Sequence, residues 1–109
     1  MDEILDLAEK LGNLIRNDNR FQALMEAEKK VVADAEAKKL LEDFQTQSEK
    51  IMDRERRREP VEVEDKHRLR DLHEKVAAHP LIKELTKARV EYAELMNRVN
   101  RAIFGREEE

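Results

Sequence analysis

Three histidines are the first residues to weigh for chemistry. His67, His73 and His79 recur every six positions. On a helix, neighbouring side chains are three or four residues apart, so a six-residue step turns each imidazole away from the next. Asp65 and Asp71 stand within a turn of a histidine, an arrangement that exposed helices show without binding anything. A zinc site needs three or four converging ligands, and this spacing does not converge them. The 26 acidic residues fall mostly on polar faces, where little would move a carboxyl away from its ordinary pKa, and general acid–base work needs burial or a cleft. The chain has no cysteine, which removes disulfides, thiolate metal sites and cysteine nucleophiles. It also lacks a glycine-rich phosphate loop, a serine elbow and a His-Glu-x-x-His pattern. The expectation is a protein with no catalytic residue, no metal and no cofactor.

The one basic cluster is Arg54, Arg56, Arg57 and Arg58. Arginines grip phosphate backbones or acidic partners. Here Asp53, Glu55 and Glu59 interleave with them, leaving a net charge of +1 over 53–59, and no aromatic is interspersed to stack a base. The cluster reads first as a solvated helix end and second as a contact for RNA or a protein partner. With a formal net charge of −4 and both signs mixed throughout, the chain lacks the basic face of a dedicated nucleic-acid binder. Direct nucleic-acid contact is therefore not expected.

The elements that must position these residues are helices. Apolar residues make up 39% of the chain and charged residues 44%, against about 45–50% and about 25% in ordinary domains. The apolar set is thin but periodic. Its longest run lies between the His79-Pro80 break and Gly105, where Leu81, Leu85, Ala88, Tyr92, Leu95, Val99 and Ala102 step by fours and threes, with Ile82, Met96 and Ile103 widening the stripe. Pro80 suits a first helical position and Gly105 a left-handed closing residue. At about 1.5 Å per residue such a helix runs roughly 37 Å. A compact domain of this length has a radius of gyration of only about 13 Å, so an elongated molecule is expected.

Four further helices precede it. Residues 3–16 carry Ile4, Ala8, Leu11 and Ile15 on one face with Leu7 and Leu14 beside it, and Asp2 suits the cap. Residues 20–32 follow, with Asn19 and Gln22 spaced as a capping box. Residues 35–57 begin after Asp34 and place Leu40, Leu41, Phe44, Ser48, Ile51 and Met52 on one side. After Pro60, residues 62–78 carry Leu69, Leu72, Val76 and Ala77. Long helices flanking the Pro60 loop suggest an antiparallel hairpin. Whether His79-Pro80 reverses the chain or only bends it stays open at this level. No apolar run approaches the roughly 20 residues that span a bilayer, and Asp2 and Glu3 stand where a signal peptide would be basic, so a cytoplasmic protein without membrane contact is expected.

Taken in order, these landmarks resemble the YlbF/YmcA family of small bacterial helical proteins. The resemblance runs through the opening ILDLAEKLGNLIRND, then FQALMEAEKKV, then ADAEAKKLLEDFQ, and ends in HPLIKELTKARVEYAELMNRVNRAI, covering roughly residues 3–104. Ala35 stands where the family usually has proline. The resemblance implies an all-helical, self-associating protein with a regulatory role in competence, sporulation or biofilm formation. In one branch, related proteins join a complex that assists ribonuclease-dependent messenger RNA maturation and holds iron–sulfur clusters on cysteines. A chain without cysteine cannot carry over the cluster binding, and the cysteine-free, YheA-like branch is the nearer analogy.

The resulting expectation is an all-α chain, a single helical domain over 1–109. It would be an elongated antiparallel bundle or hairpin of four to five helices, forming an intertwined or side-by-side homodimer. Leu81, Leu85, Ala88, Tyr92, Leu95, Val99 and Ile103, with Leu40, Phe44 and Ile51, form the expected packing and dimer seam. Its partners would be a second copy and other helical proteins of the same family. An RNA-processing accessory using Arg54–Arg58 and a purely structural oligomer are the alternatives.

Overall fold

The computed structural model describes residues 2–105, and these fold into five α-helices without a strand. The helices are α1 (Glu3–Arg16), α2 (Asn19–Ala33), α3 (Ala35–Arg56), α4 (Val63–Ala78) and α5 (Pro80–Phe104). None is long and apolar enough to cross a membrane. The described residues sort into two compact units. One is built from the two ends of the chain, up to Glu28 and from Leu85 onward, and the other is Lys29–Glu84.

Short polar side chains set most of the helix starts. The Asp2 carboxylate accepts from the Leu5 N–H at 3.2 Å, and Asp34 accepts from the Ala37 N–H at 2.9 Å. Each satisfies one of the amides that a first helical turn leaves free. The expected Asn19–Gln22 capping box does not form. Asp18 sits one residue earlier and takes the cap, accepting from the Arg20 N–H at 2.8 Å, while Gln22 reaches back to the Arg16 carbonyl at 2.7 Å. A carboxylate outcompetes an amide for that place because it carries full charge at the positive helix end. Helix α2 consequently begins at Asn19. Helix α4 begins at Val63 because Glu62 stays extended (φ −71°, ψ 148°), and α3 stops at Arg56 because Arg57 is its cap. Gly105 closes α5 in the left-handed region (φ 64°), its N–H donating to Arg101 at 2.7 Å.

In the unit made of the chain ends, Leu24, Ala27, Leu85 and Ala88 are buried and the rings of Phe21 and Tyr92 meet at 5.9 Å. Arg20 grips Asp18 at 2.8 Å and lies in the field of Glu91 and Glu94 on α5. Helix α1 contributes no buried residue.

The Lys29–Glu84 unit is organised around the α3–α4 hairpin. Phe44 meets His73 at 5.9 Å near one end, and Lys50 and Gln47 meet Asp65 nearer the turn. Residue numbers rise on one helix as they fall on the other, so the pair is antiparallel, as the Pro60 break suggested. Ala37, Ile51 and Leu72 are buried here, with Val31 from α2 and Ile82 from α5. Lys30 and Glu84 pair at 3.1 Å. Between α4 and α5, His79 alone is extended (φ −75°, ψ 122°), so the helical run is broken there.

Candidate functional site

The residues that could do chemistry stay apart. His67 is exposed on α4. His73 lies against Phe44. His79, with 12% of its side chain exposed, has its Nε2 facing Glu36 at 3.6 Å and Asp34 at 4.0 Å. Its Nδ1 accepts the Leu81 N–H at 3.2 Å, so the imidazole caps α5. Asp34 is itself occupied in capping α3. Among the described residues, no three histidine or acidic side chains gather closely enough to hold a metal ion.

The arginine cluster is partly neutralised at its root. Arg57 and Arg56 reach Asp53 at 3.2 and 3.9 Å, and Arg54 reaches the Pro60 carbonyl at 3.5 Å. Arg58 is left-handed (φ 58°). Its N–H donates to Glu55 at 3.1 Å, and the Glu59 N–H donates to Arg54 at 2.9 Å. This is the double hydrogen bond that closes a helix around a residue usually glycine.

Of the expected seam residues, Leu85, Ala88 and Ile51 are buried within the single chain. Leu81, Tyr92, Leu95, Val99, Leu40 and Phe44 are half-buried, and Ile103 is exposed. The sequence reading passed over Gln47, one position before Ser48, although it is buried and polar. Its signal was available: Gln47 follows Phe44 by three and precedes Ile51 by four, on the apolar face itself.

The feature that stands out is α1. Its apolar residues fall on one face and its charges on the other, yet Ile4 is 78% exposed, Leu14 70% and Leu7 56%. Leu5 is also bare, and Leu11 and Ile15 are only half covered. Fourteen residues forming an isolated amphipathic helix would be marginal in water, since such helices owe their stability to packing of the apolar face. Contiguous exposed apolar faces are where proteins commonly meet other surfaces, and α1 presents such a face.

Comparison with known proteins supplies context. Residues 4–106 match the family described as "Control of competence regulator ComK, YlbF/YmcA". A UPF0342 protein of Streptococcus mutans is 32% identical over 102 residues, covering 94% of this chain and 90% of the relative. A UPF0342 protein of Halothermothrix orenii is 26% identical over 102 residues, covering 94% and 86%. Among solved structures, the crystal structure of Bacillus subtilis RicA in complex with RicF is similar in fold, with a TM-score of 0.79 at 18% identity, over 92% of this chain and 89% of the other.

Proposed function

Since the chain belongs to the YlbF/YmcA family of competence regulators, we propose that it is a non-enzymatic helical adaptor that acts by binding proteins. The observation that carries this reading is the bare apolar stripe of α1. Its side chains offer burial worth roughly 1.5–3 kcal/mol each when fully covered, which is the currency of protein association. The chemistry-bearing residues support the same reading, because His79 caps a helix, His73 lies against Phe44 and His67 is exposed on α4. The structural relative RicA was crystallised with a protein, RicF, which agrees with a binding role for this fold. The partners are a second copy and helical proteins of the same family, and the setting is the cytoplasm.

RNA contact through Arg54–Arg58 has less support, since Asp53 already engages two of the four guanidiniums.

The test is cross-linking capture of the full chain from its native cells, compared with a Leu7→Lys/Leu14→Lys variant. We expect discrete proteins on the wild-type chain and their loss from the variant. Identical sets from both, or RNA-dependent recovery abolished by replacing the four arginines, would overturn the reading.

A further inference from the structure

We propose that His79 is a pH-sensitive latch on the break between α4 and α5. Uncharged, its imidazole holds the start of α5. On taking up a proton it releases that helix end and turns to the carboxylates at the start of α3. The latch does not depend on what α1 binds.

Pro80 has no N–H, so the Leu81 amide is the first donor that α5 leaves free. The His79 Nδ1 accepts it at 3.2 Å. A ring nitrogen accepts only while it carries no proton, so the neutral ring keeps its hydrogen on Nε2. That nitrogen faces Glu36 at 3.6 Å and Asp34 at 4.0 Å, with only 12% of the side chain exposed. One ring therefore joins two helix breaks, since Asp34 caps α3 as His79 caps α5.

A second proton has one place to go. It binds Nδ1 and removes the acceptor that Leu81 uses. The ring is then a cation at the positive end of α5, where positive charge is disfavoured. Glu36 and Asp34 meet that charge instead. The ring also has room to turn, because Glu36, Leu40, Lys75, Ala78 and Pro80 line with it a cavity of about 510 Å³. Among the cations, Lys75 of α4 lines this cavity, Lys83 is exposed one turn along α5, and Lys30 of α2 is paired with Glu84 at 3.1 Å. Two carboxylates against one lysine leave the α3 side the better place for a charged ring.

The test is nuclear magnetic resonance of the full chain across the range in which imidazole ordinarily changes charge, about pH 8 to about pH 5. At the alkaline end the His79 ring should show a bare Nδ1 and a protonated Nε2. As pH falls, the Leu81 amide proton should move upfield and lose severalfold of its protection from exchange, in step with the His79 ring signals. His79→Asn keeps a side-chain oxygen that can cap but takes up no proton, so its Leu81 signal should stay constant. His67→Asn, at an exposed position on α4, should leave the wild-type response intact. A hydrogen on Nδ1 at the alkaline end, a wild-type Leu81 signal that ignores pH, or a response that persists in His79→Asn or disappears in His67→Asn overturns the latch. If the His79→Asn chain does not fold, the ring-nitrogen and Leu81 signals of the wild type decide alone.

Discussion

The side-chain amide of Gln47 donates to the main-chain carbonyl of Asp65 at 2.9 Å, tying α3 to the first turn of α4. Gln47 is the buried polar residue of the described chain, and the Asp65 carboxylate beside it also accepts from Lys50 at 3.1 Å. A buried amide is stabilising only while it is paired. We expect Gln47→Ala to lower stability by about 1–3 kcal/mol, read as a shift in the urea midpoint. An unchanged midpoint would show that the α3–α4 hairpin does not depend on this bond.

Arg58 occupies a left-handed position that costs an L-residue roughly 1 kcal/mol and costs glycine little. We expect Arg58→Gly to raise stability by about 0.5–1 kcal/mol, with Arg58→Ala gaining nothing. A destabilised glycine variant would mean that the Arg58 side chain contributes more than its backbone costs.

Two carboxylates held below their ordinary range should contribute to the acid branch of stability. Hydrogen bonds from the Arg20 side chain hold Asp18 down at about 2, and the hydrogen bond from Lys50, with that from Gln47, lowers Asp65. A group whose folded pKa is depressed stabilises the fold above its unfolded value and loses that contribution as pH falls through the folded one. Melting temperature should therefore fall between the ordinary carboxylate value of 3.8 and about 2, and Asp18→Asn should flatten part of that slope. An equally steep acid branch in the variant would assign the slope to other groups.

Leu85 is 2% exposed, so Leu85→Ala should cost about 2–5 kcal/mol in thermal or urea unfolding. A loss well under 1 kcal/mol would mean that the site collapses around the smaller side chain.

Most of the helical organisation was legible in the residues. Asp34, Pro80 and Gly105 mark their helix ends as their chemistry requires, and Leu85 and Ala88 occupy the buried side of α5. Position by position, the reading failed where two residues compete for one task. Asp18 displaced Asn19 at the start of α2, because charge at a helix end outweighs the Asn-x-x-Gln spacing. Gln47 turned inward beside Ser48 because the carbonyl of Asp65, eighteen residues away, accepts its amide. The candidate site was the least legible. Periodicity reports that a helix has an apolar face, and α1 and α5 both have one. Only coordinates show that α5 carries buried residues while α1 carries none.

The α1 stripe should be covered by protein when the molecule is at work. Its most direct test is the alkylation rate, in intact cells, of a single thiol at Leu14→Cys compared with one at Asn13→Cys on the polar face of the same helix. We expect the Leu14→Cys thiol to be shielded severalfold relative to the Asn13→Cys thiol, and the shielding to vanish on denaturation. Equal rates at the two positions in the cell would contradict the claim.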